Sequence, residues 1–156
     1  MDRDRKRAAL LVLAGGLVAG TFDITYACVF WAIKIGAGPA RIFQSVAKGL
    51  LGPASFQGGA ATAALGLFLH YFIAITMSVV YYLAARKLAL LHKYPLRCGA
   101  VYGLGLWVVM NYVVLPLSAA GRGSQDGLWV ALSILVHMFL IGVPIAFFTR
   151  RAIHSS

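Results

Sequence analysis

Acidic residues are scarce in this chain of 156 residues: four Asp and Glu in total stand against fourteen Lys and Arg. Only 12% of the residues are charged, whereas 61% are hydrophobic and the mean hydropathy is +0.84. Soluble domains carry about 25% charged residues, so this composition excludes an ordinary soluble domain. The sequence therefore predicts an integral membrane protein.

Cysteine and the motifs of soluble enzymes are also nearly absent. The two cysteines, Cys28 and Cys98, are expected at opposite depths of different membrane spans. A disulfide needs Cα atoms within about 7 Å, so we expect two free thiols. There is no phosphate-binding glycine loop, no Cys-x-x-Cys pair and no nucleophile elbow. These absences favour a protein that is not an enzyme of a soluble type.

Four apolar segments are long enough to cross a bilayer, which takes about 20 helical residues. The first begins after a basic N-terminus, like a signal peptide, but it is longer than a cleaved apolar region and carries Asp23. We therefore expect a single transmembrane domain with an all-α, four-helix bundle fold. The predicted spans are residues 8–33, 59–85, 98–117 and 127–149.

The basic residues are distributed unevenly between the two ends of the predicted bundle. Ten of the fourteen Lys and Arg fall on the side of the chain termini, and the other four are Lys34, Arg41, Lys48 and Arg122. Cytoplasmic loops carry an excess of Lys and Arg. The distribution predicts that both termini are cytoplasmic.

The second and fourth spans contain a similar stretch, with one histidine in each. A shift of 67 residues aligns the two stretches, placing Ala64, Leu65, His70 and Phe72 on Ala131, Leu132, His137 and Phe139. Two parallel helical-hairpin repeats, related by an axis along the membrane normal, would explain this match. Because alanine, leucine and phenylalanine are common in any span, chance coincidence is the alternative.

Each predicted span also carries one strongly polar residue in its middle: Asp23, His70, Asn111 and His137. All four lie 12 to 15 residues from their predicted cytoplasmic edges, which corresponds to one layer at roughly 18 to 23 Å. A carboxylate at this depth costs about 2.5 to 3.5 kcal/mol, so it needs protonation or a partner. A histidine on a neighbouring helix is the obvious partner, and we expect a proton or ion relay in this layer.

This polar layer has four possible functions, which the sequence leaves open. The first is a relay in a small proton-linked transporter or channel-like subunit. The second is a transition-metal site formed by Asp23, His70 and His137, and the third is a b-type haem with His70 and His137 as axial ligands. The fourth is packing alone, in a structural membrane subunit whose polar side chains only hold helices together.

Between the first two spans, residues 39–52 form a predicted amphipathic helix that begins at Pro39 and ends before Pro53. We expect it to lie on the outer leaflet, where a plain surface anchor is the favoured interpretation. The alternative is a site at which Arg41 and Lys48 contact an anionic lipid head group or an anionic substrate. The predicted polar face contains Arg41, Gln44, Ser45 and Lys48, and the apolar face Ile42, Phe43, Val46 and Leu50.

Residues 39–74 (PARIFQSVAKGLLGPASFQGGAATAALGLFLHYFIA), together with the later NYVVLPLSA, resemble a group of small bacterial inner-membrane proteins without established activity. The resemblance covers most of the chain and implies four spans in a bacterial inner (plasma) membrane. It implies no functional residue and no cofactor. The expected partners are the bilayer and an anionic lipid, not nucleic acid. The internal repeat is compatible with a monomer, and the glycine stripes are equally compatible with a homodimer.

Overall fold

The computed structural model describes residues 2–155, which contain helices and no β-strand. The α-helices are α1 (Asp2–Ile35), α2 (Pro39–Leu51), α3 (Gly59–Ala85), α4 (Ala89–Lys93), α5 (Pro95–Val109), α6 (Leu115–Leu117), α7 (Gly127–Val136) and α8 (Val143–His154). A 3-10 helix, Gly52–Gln57, follows α2. Four stretches are long and apolar enough to cross a membrane: Arg3–Ile35, Gly59–Ala85, Pro95–Leu117 and Gly127–His154. The predicted all-α fold with four spans is confirmed.

The third and fourth spans are not continuous α-helices. A π-helix, Met110–Val114, joins α5 to α6, and a second, His137–Gly142, joins α7 to α8. Each lies just before a proline, Pro116 or Pro144. A proline has no N–H and clashes with the carbonyl four residues earlier, and a wider turn relieves that clash. The apolar pattern alone did not predict these segments.

The four spans run alternately up and down, which gives the bundle two distinct ends. The start of α1, the end of α8 and the short α4 lie at one end, the terminal face. Helix α2 and the segment 118–126 lie at the other end, the loop face. A residue's height in the bundle is therefore its distance along a span from either face.

The first and fourth spans form the centre of the bundle. Helix α1 packs against α3 on one side and α8 on the other, while α5 packs against the fourth span. In the most apolar stretch of each span, 39% of the first is buried but only 11% of the third. Many large apolar side chains on the outer surfaces are exposed, which suits contact with lipid chains rather than water.

Glycines allow the closest approach of helices in both halves of the bundle. A Cβ added to Gly16 of α1 would lie 2.7 Å from the Cα of Ile75 on α3. A Cβ added to Gly103 of α5 would lie 1.9 Å from the carbonyl oxygen of His137. Small residues mark close helix contacts in membrane proteins, and these glycines lie at such contacts.

Helix α2 has the predicted bounds to within one residue, but it packs directly against α3. A Cβ added to Gly66 of α3 would lie 1.8 Å from the carbonyl oxygen of Phe43. The placement of Gln44 on the outward polar face is wrong. Gln44 is 9% exposed, and its amide donates to the carbonyl oxygen of Gly59 at 3.0 Å. A buried amide must satisfy its hydrogen bonds, and this carbonyl provides the partner.

At the loop face, an ion pair joins the end of α1 to the start of the fourth span. The Lys34 ammonium donates to one carboxylate oxygen of Asp126. The other oxygen accepts from the backbone N–H of Trp129 at 2.9 Å, so Asp126 is the N-cap of α7. The hydrogen bond from Lys34 is the main reason that the pKa of Asp126 lies below its ordinary value of 3.8.

We expect Asp126→Asn to cause a small loss of thermal stability at neutral pH, because asparagine keeps the cap but removes the charge. A carboxyl with a lowered folded-state pKa stabilises the fold above its unfolded-state pKa. The difference from the parent should therefore shrink as the pH falls below 3.8. Unfolding in detergent, followed by circular dichroism across this range, measures it. An equal difference at all pH values would contradict a charge effect.

Candidate functional site

His70 lies on the side of α3 that faces α1. Its Nε2 is 2.7 Å from the carbonyl oxygen of Gly20. Because a carbonyl oxygen can only accept, Nε2 carries a proton and Nδ1 remains as the atom that can exchange one. The next residues along each helix are also in contact, with the hydroxyls of Thr21 and Tyr71 3.0 Å apart. The fold therefore holds the His70 ring in a fixed orientation against the α1 backbone.

Asp23 lies three residues beyond Gly20, toward the loop face, and is partly buried. At 100° per residue it falls on the same side of α1 as Gly16 and Gly20, which pack against α3. Across the side chains that the structure describes, residues 3–155, its carboxyl forms no hydrogen bond or ion pair. The structure therefore brings Asp23 to within about one turn of His70, roughly 5 Å along the axis, without joining the two side chains.

His137 is the first residue of the second π-helix. Its Nδ1 is 2.9 Å from the carbonyl oxygen of Ser133 on its own helix, which leaves Nε2 as the exchangeable nitrogen. Its own carbonyl oxygen packs against Gly103 of α5. In both hairpins, therefore, the histidine lies opposite the second glycine of a Gly-x-x-x-Gly pair: Gly20 for His70 and Gly103 for His137.

Two contacts fix the height of His137 relative to α1. The Trp129 ring stacks on Tyr26 with centroids 5.1 Å apart. Nearer the terminal face, Phe148 contacts Gly15. Because His137 lies between Trp129 and Phe148 in the fourth span, it is level with the middle of α1, where the partly buried carboxyl of Asp23 lies. Three of the four predicted residues thus share one level in the bundle.

Asn111 is separated from the other three polar residues. It lies in the first π-helix, where its amide donates to the carbonyl oxygen of Trp107 at 2.9 Å. It lines a cleft of about 490 Å³ at the loop face, together with Tyr112, Arg122 and Gln125. The structure therefore places Asn111 in a cleft between the third span and the following loop, rather than beside the histidines.

The three residues proposed for a metal are not grouped in the structure. Among the side chains described between residues 3 and 155, no three or more His, Cys, Asp or Glu are grouped closely enough to hold a metal ion. A haem with two axial histidines needs one free nitrogen from each ring facing a common slot. Each ring keeps one such nitrogen, Nδ1 of His70 and Nε2 of His137. Ligation of a haem by the two histidines stays a prediction.

The two basic residues of α2 each have a partner within the protein. The Arg41 guanidinium lies over the Phe56 ring, 4.9 Å from its centroid. The Lys48 ammonium donates to the carbonyl oxygen of Ala120 at 2.9 Å. The two residues are seven positions apart, or roughly 10 Å along the helix. Binding of an anion by Arg41 and Lys48 stays a prediction.

Sequence reasoning missed a second cleft, at the terminal face. It has a volume of about 720 Å³ and lies between the first turns of α1 and the last turns of α8. Arg7 lines it from α1, and Arg150 and Arg151 line it from α8. From the sequence, these arginines were interpreted only as topology signals. Arg7 and Arg151 each lie four residues from an apolar residue on the same helix face, and this spacing could have indicated the cleft.

No known family model matches this chain, and no curated protein or solved structure was found to be similar to it. The resemblance to small bacterial membrane proteins therefore stays a prediction, and the function has to be inferred from the geometry of the chain itself.

Proposed function

We propose that this protein is a small proton-linked membrane transporter or channel-like subunit in which Asp23 gains and loses the proton. One observation carries the proposal: the Asp23 carboxyl, in the middle of an apolar span, forms no hydrogen bond or ion pair with the described residues 3–155. An ionisable residue inside a membrane is costly and generally serves a function. Desolvation disfavours the charged form of a carboxyl, and a nearby cation favours it.

His70 is the proposed exchange partner of Asp23. Its Nε2 is held by the Gly20 carbonyl, so Nδ1 is the nitrogen that can pass a proton. Histidine is the side chain whose ordinary pKa lies nearest neutral pH. Asp23 follows Gly20 by three residues on α1, and we propose that a water molecule carries the proton between the two groups. His137, at the same level on the fourth span, is the proposed second member of the relay.

A structural membrane subunit is the second candidate, and one observation favours it. Both histidines use one ring nitrogen to bond a backbone carbonyl, which is what a packing residue does. In that case the rings would only fix the spacing of helices. The two candidates predict different proton fluxes when the carboxyl is neutralised without changing its shape.

We expect Asp23→Asn to abolish proton flux, because asparagine has nearly the same shape but cannot bind a proton. The parent protein is reconstituted in vesicles containing a pH-sensitive dye, and a potassium diffusion potential drives protons inward. Parent vesicles should acidify, and Asp23→Asn vesicles should match empty ones. His70→Gln, which keeps a donor toward the Gly20 carbonyl, should reduce the flux and flatten its pH dependence.

The matched control is Asp126→Asn, which removes one carboxylate outside the spans. Its flux per folded molecule should equal that of the parent. Flux that survives Asp23→Asn would contradict the proposal, as would a parent protein that moves no protons under any gradient. The structural subunit would then be the better interpretation, supported further if Asp23→Asn or His70→Gln lowers the unfolding temperature.

A further inference from the structure

We propose that the cleft at the terminal face binds the phosphate of an anionic phospholipid, with one acyl chain lying along the apolar residues below it. The cleft, of about 720 Å³, lies at one end of the spans, where a lipid head group would be. It is separate from the proposed proton relay and does not depend on it.

The cleft is arranged in two layers, which match the two parts of a phospholipid. On α1, Leu11 follows Arg7 by four residues, and on α8, Arg151 follows Phe147 by four. Residues four apart lie on the same face of a helix, about 6 Å along its axis. Both helices therefore place a guanidinium toward the end of the bundle and an apolar side chain one turn deeper. Leu11 is partly buried and Phe147 is 42% exposed, so an acyl chain can reach them.

The positive charge of the cleft favours binding of an anion. Three arginines from two helices line one space, and His154 lies beside them. Like charges this close repel each other, and a bound phosphate would remove the repulsion while accepting hydrogen bonds from planar guanidinium groups. The His92 ring of α4 packs against His154, with centroids 5.8 Å apart, and so adds a second titratable group at the rim.

A lipid explains this cleft better than a free phosphate does. A soluble anion would use the arginines but would leave the apolar layer of Leu11 and Phe147 without a role. The terminal face also carries ten of the fourteen Lys and Arg, the distribution that predicts a cytoplasmic location. Anionic lipids give the cytoplasmic leaflet its negative surface potential, and basic clefts between spans on this side bind their head groups.

The test is a titration of the purified full chain in detergent with dioleoylphosphatidylglycerol, in which native mass spectrometry counts the bound lipid. One basic residue contributes about 1 kcal/mol near an anionic lipid, so the Arg150→Gln/Arg151→Gln double variant should bind about thirtyfold more weakly. The matched control is Arg86→Gln/Lys87→Gln. These two basic residues directly follow α3 at the terminal face and do not line the cleft. This control should bind like the parent.

Three results would overturn the proposal. Equal weakening in the control would show diffuse attraction to the whole basic face. Equal binding of dioleoylphosphatidylcholine would show that the negative charge is not recognised. Displacement of the lipid by inorganic phosphate at the same concentration would show a site for a free anion. Arg7→Gln offers an independent check from the other helix and should weaken lipid binding in the same direction.

Discussion

Gly103→Ala is expected to separate the third span from the fourth. The added methyl carbon would lie 1.9 Å from the carbonyl oxygen of His137 and 2.8 Å from the Cα of Met138. These are backbone atoms, so no side-chain rotation can relieve the clash, and the two helices must move apart. Overpacking typically costs about 1 to 3 kcal/mol, and a backbone contact belongs at the upper end. We expect the free energy of unfolding to fall by roughly 3 kcal/mol.

Gly105→Ala is the matched control, because it adds the same methyl group to the same helix two residues later. A Cβ at Gly105 would meet no atom within 4 Å. Alanine favours helix over glycine by up to about 1 kcal/mol, so this variant should equal or exceed the parent in stability. Unfolding in mixed detergent with increasing dodecyl sulfate measures both variants. If the two variants unfold alike, the close packing described for Gly103 is incorrect.

Gly66→Ala is expected to lift α2 away from α3. The new methyl carbon would lie 1.8 Å from the carbonyl oxygen of Phe43, again a backbone atom. We expect a loss of roughly 2 to 3 kcal/mol in stability. Cys28 packs in the apolar cluster beneath Ile42 of α2. Displacement of α2 should therefore raise the rate at which a maleimide reagent labels Cys28, as measured by peptide mass spectrometry.

Cys98 provides an internal reference for this measurement. It lies near the terminal face, at the opposite end of the bundle from α2, and its thiol is also free. Its labelling rate should stay the same in Gly66→Ala. A second control, Gly127→Ala, adds a methyl group where no atom lies within 4 Å and should leave both rates unchanged. Parallel increases at both thiols would show general unfolding rather than local release of α2.

Much of the architecture could be predicted from hydropathy and glycine spacing. A long apolar run must form a helix in lipid because its backbone groups have no other hydrogen-bond partners, and α3 has the predicted bounds, Gly59–Ala85. The closeness of α1 to α3 was also predictable from the Gly16 and Gly20 pair. The free state of both cysteines was correctly predicted.

The polar contacts were harder to predict, because depth alone does not specify a partner. Residue counting placed Asp23 and His70 in one layer, and their levels in the bundle are indeed close. It could not show that the His70 ring would bond the Gly20 carbonyl instead of the carboxyl. The absence of a side chain at Gly20 exposes that carbonyl, and only the register of the two packed helices reveals it.

The face of α2 was misassigned for a related reason. Helical periodicity separates polar from apolar residues, but it cannot show that a polar side chain has a buried partner. Gln44 lies inside because its amide has a buried partner, the carbonyl oxygen of Gly59 at the start of α3. The predicted outward position of Arg41 agrees with its exposed side chain. Its guanidinium lies over the ring of Phe56.

The two π-helices of the third and fourth spans have a consequence for the direction of the side chains within them. Each π-helix contains one residue more than the regular α-helical turn that it replaces. If this extra residue shifted by one position along the span, the side chain at that position would rotate by about 100° and move by about 1.5 Å, while both ends of the span stayed in place. Asn111 and His137 lie within these π-helices. Such a shift would redirect either side chain without rigid movement of a whole span.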